Sequence, residues 1–201
     1  SHPYQYSGYS LWIATLFFTF QIFCDFSGYS DIARGCSKLM GVDLMVNFDK
    51  PYFSASISEF WRRWHISLST WFRDYLYIPL GGNKAGNGRK SFNLLFVFLV
   101  SGLWHGANWT YVIWRFLHGL YLIIENYLKN LFPNNSLSFF PRTFKILFTF
   151  ILVFFTWIFF RANHVNDAFL ILSKLFENPF TGWDLLNLNV ITEGFLLIFS
   201  L

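Results

Sequence analysis

The 201 residues are 54% hydrophobic and 23% aromatic, and 13% of them are charged, against roughly a quarter in soluble domains. That balance excludes a soluble globular domain. The net charge of +4 is spread over separate loops rather than gathered in one basic patch, which excludes a nucleic-acid partner. The expectation is an all-α, polytopic bundle of transmembrane helices.

The chain opens at Ser1 without a basic leader and closes inside the apolar run from Gly194 to Leu201. The reading expects a fragment, incomplete at both ends, forming a single partial membrane domain over 1–201. A span needs about 20 mostly apolar residues. Leu11 to Cys24 reads as the first. Asp25-Phe26-Ser27-Gly28-Tyr29-Ser30-Asp31 follows, and its Asp, Ser and Gly residues predict a cap and turn. Cys24 and Cys36 fit no zinc spacing and read as small buried hydrophobes.

Ser58 to Leu80 predicts one amphipathic helix, interfacial or re-entrant. At 100° per residue, Trp61, Trp64, His65, Leu68, Trp71, Phe72 and Tyr75 fall within about 120°. Arg62, Arg63, Ser67 and Arg73 take the other side, and Ile66 is the misfit. Pro79, Gly81 and Gly82 end the helix ahead of a basic turn from Asn83 to Lys90. Further spans are predicted at Phe92–Trp104, Trp109–Leu128 and Phe144–Phe160, with a fifth starting at Gly194. Residues 25–90 hold nine Lys/Arg against six Asp/Glu, 129–145 hold three and no acid, and 162–193 hold one Lys and four acids. Basic loops stay inside, so the first two face the cytoplasm and 162–193 is an outward loop. His105 then lies toward the outer end of its helix.

His105, in Ser101-Gly102-Leu103-Trp104-His105-Gly106-Ala107-Asn108-Trp109, is the leading candidate. An ionisable group at membrane depth is costly and marks function, and imidazole exchanges a proton near neutral pH. The alternative is a histidine that makes one interhelical hydrogen bond. Gly102 and Gly106 admit a close neighbour, while Asn108 and the indoles of Trp104 and Trp109 offer donors. His65 is either a second site residue or a bridge between apolar and polar faces, and nothing in the spacing joins it to His105. Tyr111, Arg115, His118 and Glu125 share one helix face, a substrate path or a structural polar stripe. Arg115 and Glu125 are about 15 Å apart along a helix and do not pair. The chain lacks Gly-x-Ser-x-Gly and His-Glu-x-x-His patterns, which leaves a histidine base rather than a serine hydrolase or metalloenzyme.

Four blocks carry a family resemblance: Phe20 to Asp31, Glu59 to Tyr77 (Glu-Phe-Trp-Arg-Arg-Trp-His-Ile-Ser at its start), Gly102 to Trp109, and Phe159-Phe160-Arg161-Ala162. The chain resembles the membrane-bound O-acyltransferase family, and within it the bacterial branch of alginate O-acetylation. The resemblance implies a core around a tunnel that admits an acyl donor from the cytoplasm and an acceptor from outside. It implies that His105 is catalytic and that His65 is the second signature residue. Trp61, Arg62, Arg63, Trp64, Ser67, Trp104 and Asn108 become candidate substrate-binding residues. His65, the indoles or Asn108 would serve as oxyanion donors, and Arg62, Arg63 and the 84–90 loop would hold the donor's phosphates. The donor would be a thioester, acetyl-CoA or an acyl carrier, with no permanently bound cofactor and no metal. The setting would be a bacterial inner membrane, with lipids, a polysaccharide acceptor and an extracytoplasmic acetyltransferase-like protein as partners. Transfer of D-alanine to teichoic acid, a transporter and a non-catalytic scaffold are the alternatives.

Overall fold

A computed structural model describes residues 6–84, 86–132 and 140–177, and these hold seven α-helices and no strand. They are α1 (Gly8–Leu39), α2 (Ile57–Arg63), α3 (Ile66–Phe72), α4 (Gly86–His105), α5 (Trp109–Leu131), α6 (Arg142–Arg161) and α7 (Val165–Glu177). The all-α expectation holds. Of the four predicted spans, α1 and α6 are long and apolar enough to cross a membrane. At 20 and 23 residues α4 and α5 have the length, but Trp, Tyr, Asn, Gly and charged residues dilute their hydropathy.

The bundle forms around α5. It lies antiparallel against α4 after a three-residue turn, and α6 and α2 cover its other faces. Gly102 makes the α4–α5 contact close, because a Cβ there would sit 2.9 Å from the Tyr111 carbonyl oxygen and 3.1 Å from Val112 Cα. Trp114 of α5 stacks on Trp157 of α6 at 5.3 Å, and Trp157 meets Trp64 at 5.0 Å. These three indoles are buried and form the middle of the core. Trp12 of α1 stacks on Phe154 and donates its indole N–H to the Leu175 carbonyl of α7.

Four expectations are corrected here. The Asp25–Asp31 block is not a cap or turn, because α1 runs through it to Leu39. No proline interrupts it, Gly28 costs a helix only about 1 kcal/mol, and the Ser27 hydroxyl bonds back to the Cys24 carbonyl. Cys24 and Cys36 are exposed on that helix rather than buried. The basic turn expected over 83–90 ends where α4 begins at Gly86. The stretch expected to face outward holds α7, whose Ala168 and Leu175 are buried. The predicted span from Gly194 lies outside the described residues.

The single helix over Ser58–Leu80 is also corrected: it is two helices followed by a π turn at Arg73–Tyr77. The break is at His65, whose backbone is left-handed with φ 44°, a conformation that costs roughly 1–2 kcal/mol for an L-residue. The 42–50 loop stabilises it. Ile66 N–H donates to the Asn47 carbonyl, Asp49 N–H to the Arg63 carbonyl, and Ser67 donates from both N and Oγ to Asn47 Oδ1. The break re-phases the predicted arc. Trp61, Trp64 and Phe72 are buried, whereas Trp71 and Tyr75 are exposed. Upstream, Ser56 caps α2 through Glu59 N–H, and Glu59 reaches back to Ala55 N–H, close to the reciprocal pattern of a capping box.

Candidate active site

His105 is the last residue of α4, and Gly106, at φ 153°, lets the chain turn at once into α5. A side chain at Gly106 would meet the Tyr111 ring at 2.9 Å. The His105 ring is half-buried in an aromatic box. Trp104, Trp114 and Phe160 present edges to it at 5.1, 5.2 and 5.9 Å between centroids. Its Nε2 lies 2.7 Å from Nη2 of Arg115. A guanidinium only donates, so Nε2 is the acceptor and the neutral ring carries its proton on Nδ1.

Arg115 is the residue that sequence reasoning misplaced. The sequence groups it with Tyr111, His118 and Glu125 on one face, a substrate path or a structural polar stripe, but Arg115, His118 and Glu125 are each tied to a different partner. Arg115 holds His105. His118 Nε2 lies 2.9 Å from Thr156 Oγ1, which spends its own proton on the Val153 carbonyl. His118 therefore donates from Nε2. Glu125 accepts from Ser58 N–H and Oγ and from Lys129, tying α2 to α5. Arg115 and Glu125 do not pair, as the helix rise requires. The available signal for Arg115 was an arginine on the buried face of α5, just after the glycine-flanked histidine.

His65 sits at the α2–α3 break against Phe26 and Phe48, with ring centroids 4.6 and 6.4 Å away, and its Nδ1 is 3.4 Å from Ser67 Oγ. It lies outside the four predicted spanning helices. Burial first, and then the charge of Arg115, push it down to about 4, so its ring is neutral at pH 7. Among the described residues no hydrogen bond or ring contact joins it to His105.

A cleft of about 490 Å³ opens between α2, α3, α4 and α5. Arg62, Arg73 and Lys90 line it together with Asn83 and Tyr77, and Trp61, Ser101 and Arg115 line it too. The fold thus turns Arg62 toward this space and Arg63 away from it. Arg63 is paired with Glu59 at 2.7 Å, and Arg142 joins the same carboxylate at 3.2 Å. Trp64 is in the core, Ser67 is held by Asn47, and Trp104 is 59% exposed beside His105. Asn108 has both ends of its amide engaged. Its Oδ1 caps α5 through Thr110 N–H, and its Nδ2 donates to the Asn163 carbonyl. Asn108→Ala is therefore expected to cost about 1 kcal/mol of stability, within the usual range for a lost cap, with a smaller effect on turnover. Thermal unfolding beside an activity assay checks this, and a large loss of turnover at unchanged stability would return Asn108 to substrate binding.

A model of the membrane-bound O-acyltransferase family matches residues 1–166. The probable alginate O-acetylase AlgI of Pseudomonas putida is 49% identical over 178 residues, covering 89% of this chain and 36% of that protein. The peptidoglycan O-acetyltransferase of Helicobacter pylori is 40% identical over 164 residues, 82% of this chain and 31% of that protein. The teichoic acid D-alanyltransferase of Streptococcus thermophilus is 42% identical over 114 residues, 53% of this chain and 28% of that protein. The chain spans about a third of the length of the curated relatives it matches.

Proposed function

The chain belongs to the membrane-bound O-acyltransferase family, and from that membership we propose that the full protein esterifies a hydroxyl of an exported polysaccharide. The acyl group is acetyl. It comes from a cytoplasmic thioester, acetyl-CoA or an acyl carrier, and crosses a bacterial inner membrane through the site. His105 takes the proton of the acceptor hydroxyl, the alkoxide attacks the thioester carbonyl, and the thiolate leaves with that proton. A general base of this kind contributes typically 10²–10⁴-fold, and positioning contributes the rest. His65 is the second histidine of the site. An extracytoplasmic acetyltransferase-like protein is its partner in acetylating the glycan.

The observation that carries this reading is the joining of two features. A histidine with a defined tautomer stands directly behind Arg115, and Arg115 lines a cleft that also bears Arg62, Arg73 and Lys90. Arg62 and Lys90 suit the phosphates of a coenzyme or of a phosphopantetheine arm, while Arg73 is paired with Asp74 at 2.7 Å. The excess of lysine and arginine in the loops beside the cleft supports a donor arriving from the cytoplasm. The reading is tested with the full-length protein in inverted membrane vesicles given acetyl-labelled CoA and the endogenous glycan. Label is expected in an alkali-labile ester on the polysaccharide, and label that stays in the thioester ends the proposal. D-alanyl transfer is the second reading, favoured by the likeness to the Streptococcus thermophilus enzyme. A D-alanyl carrier thioester in the same vesicles decides between them.

A further inference from the structure

Arg115 is 4% exposed, and among the described residues no carboxylate lies within ion-pair distance of it. A buried cation without a counter-ion is costly, and replacing one by an apolar side chain is commonly neutral or stabilising. What holds it is aromatic: its guanidinium carbon lies 4.3 Å from the ring centres of both Trp61 and Trp114. Its one hydrogen bond runs to the His105 lone pair. Its Nε–H is buried without a partner, and so are the indole N–H groups of Trp61 and Trp114. All three groups donate and cannot accept. Among the described residues these three donors have no acceptor, and Arg115 and Trp61 line the cleft from which one can enter. The His105 lone pair needed for proton abstraction is also the one that Arg115 occupies.

Resting on the acyl-transfer reading above, we propose that Arg115 is a catalytic residue that serves both partners in turn. With the cleft empty, its Nη2–H covers Nε2 of His105. When the donor fills the cleft, the thioester carbonyl oxygen takes that N–H, and Nε2 is released as the base. The acceptor O–H proton then moves to Nε2, and the new C–O bond forms. The carbonyl π electrons move onto oxygen, where the guanidinium holds the negative charge. As the carbonyl reforms, the C–S bond breaks and its electron pair leaves as thiolate, which takes the proton back from Nε2. Nδ1–H is retained throughout.

The test uses the full-length protein with acetyl-CoA as donor and compares wild type with Arg115→Met and Arg115→Lys. Removal of a single oxyanion donor costs about 10²–10³ in kcat, and Arg115→Met is expected to lose that much, to raise the donor's KM by about tenfold, and to keep its thermal stability. Arg115→Lys is expected to recover about tenfold of it. Binding supplies a readout that a packing role would not move. Acetonyl-dethio-CoA keeps a carbonyl, whereas S-ethyl-CoA has none. Wild type is expected to prefer the former by at least tenfold, and the preference is expected to vanish in Arg115→Met. Should that variant not fold, the same preference measured in Arg115→Lys serves, with a clear reduction expected. Wild-type turnover with an Arg115→Met kcat within threefold of it, or an unchanged carbonyl preference in the variants, overturns this inference and leaves acyl transfer standing. Absence of transfer by wild type removes both.

Discussion

His105→Gln in the full-length protein is expected to abolish acyl transfer while the bundle keeps its stability. Glutamine places a carbonyl oxygen near the position of Nε2, so the Arg115 N–H keeps an acceptor, but an amide cannot take a proton at neutral pH. The loss should reach 10²–10⁴-fold, the usual contribution of a general base. His105→Ala is expected to be as inactive and also less stable, by about 1–3 kcal/mol, because it strands the guanidinium with no acceptor. The pair of variants separates the two duties of one ring. Turnover retained by His105→Gln in well-folded protein would remove the base assignment outright.

The second large effect is expected at Gly102, which touches no substrate in the proposed reaction. Its added Cβ would meet backbone on two sides, the Tyr111 oxygen and Val112 Cα, and Arg115 Cβ at 3.2 Å. Backbone cannot step aside as a side-chain tip can, so α4 and α5 must separate. Overpacking of this kind costs typically 1–3 kcal/mol, and Gly102→Leu should exceed Gly102→Ala. Separation also pulls His105 away from Arg115, and a misplacement near 1 Å can cost about 10²-fold in rate. Gly88→Ala is the control. It lies in the same helix with nothing within 4 Å of the added methyl, and it should be neutral or slightly stabilising. Equal behaviour of the two glycine variants in melting and turnover would show that the close approach of α4 to α5 is dispensable.

Where the sequence was legible, the reason was periodic and local. Helices α5 and α6 are legible to within three residues of their ends because long apolar runs are bounded by Pro, Gly and Asn signals, whereas α4 starts six residues early, at Gly86, inside the expected basic turn. The expected helix at 58–80 failed because its break is tertiary. The left-handed backbone of His65 is held by Asn47, a contact that no helical periodicity encodes. The turn expected after Cys24 failed for the opposite reason, since local turn formers yielded to a helix already propagating. At the site, His105 stood out by its cost in lipid. Its partner did not, because pairing Arg115 with His105 requires knowing that a three-residue turn folds α5 back along α4. Arg62 and Arg63 looked equivalent as neighbours in sequence, and only the position of Glu59 separates the one facing the cleft from the one in an ion pair.

The three-residue turn between α4 and α5 also bears on biogenesis. His105 and Arg115 are ten positions apart, on two helices that meet through local contacts. Local contacts form quickly and without waiting for distant segments. His105 and Arg115 are thus brought together as soon as this hairpin forms, before α6 is made. Synthesis of the rest of the chain then encloses a pair already formed, and damage to later helices should show first as leakiness or misfolding rather than as a misaligned pair.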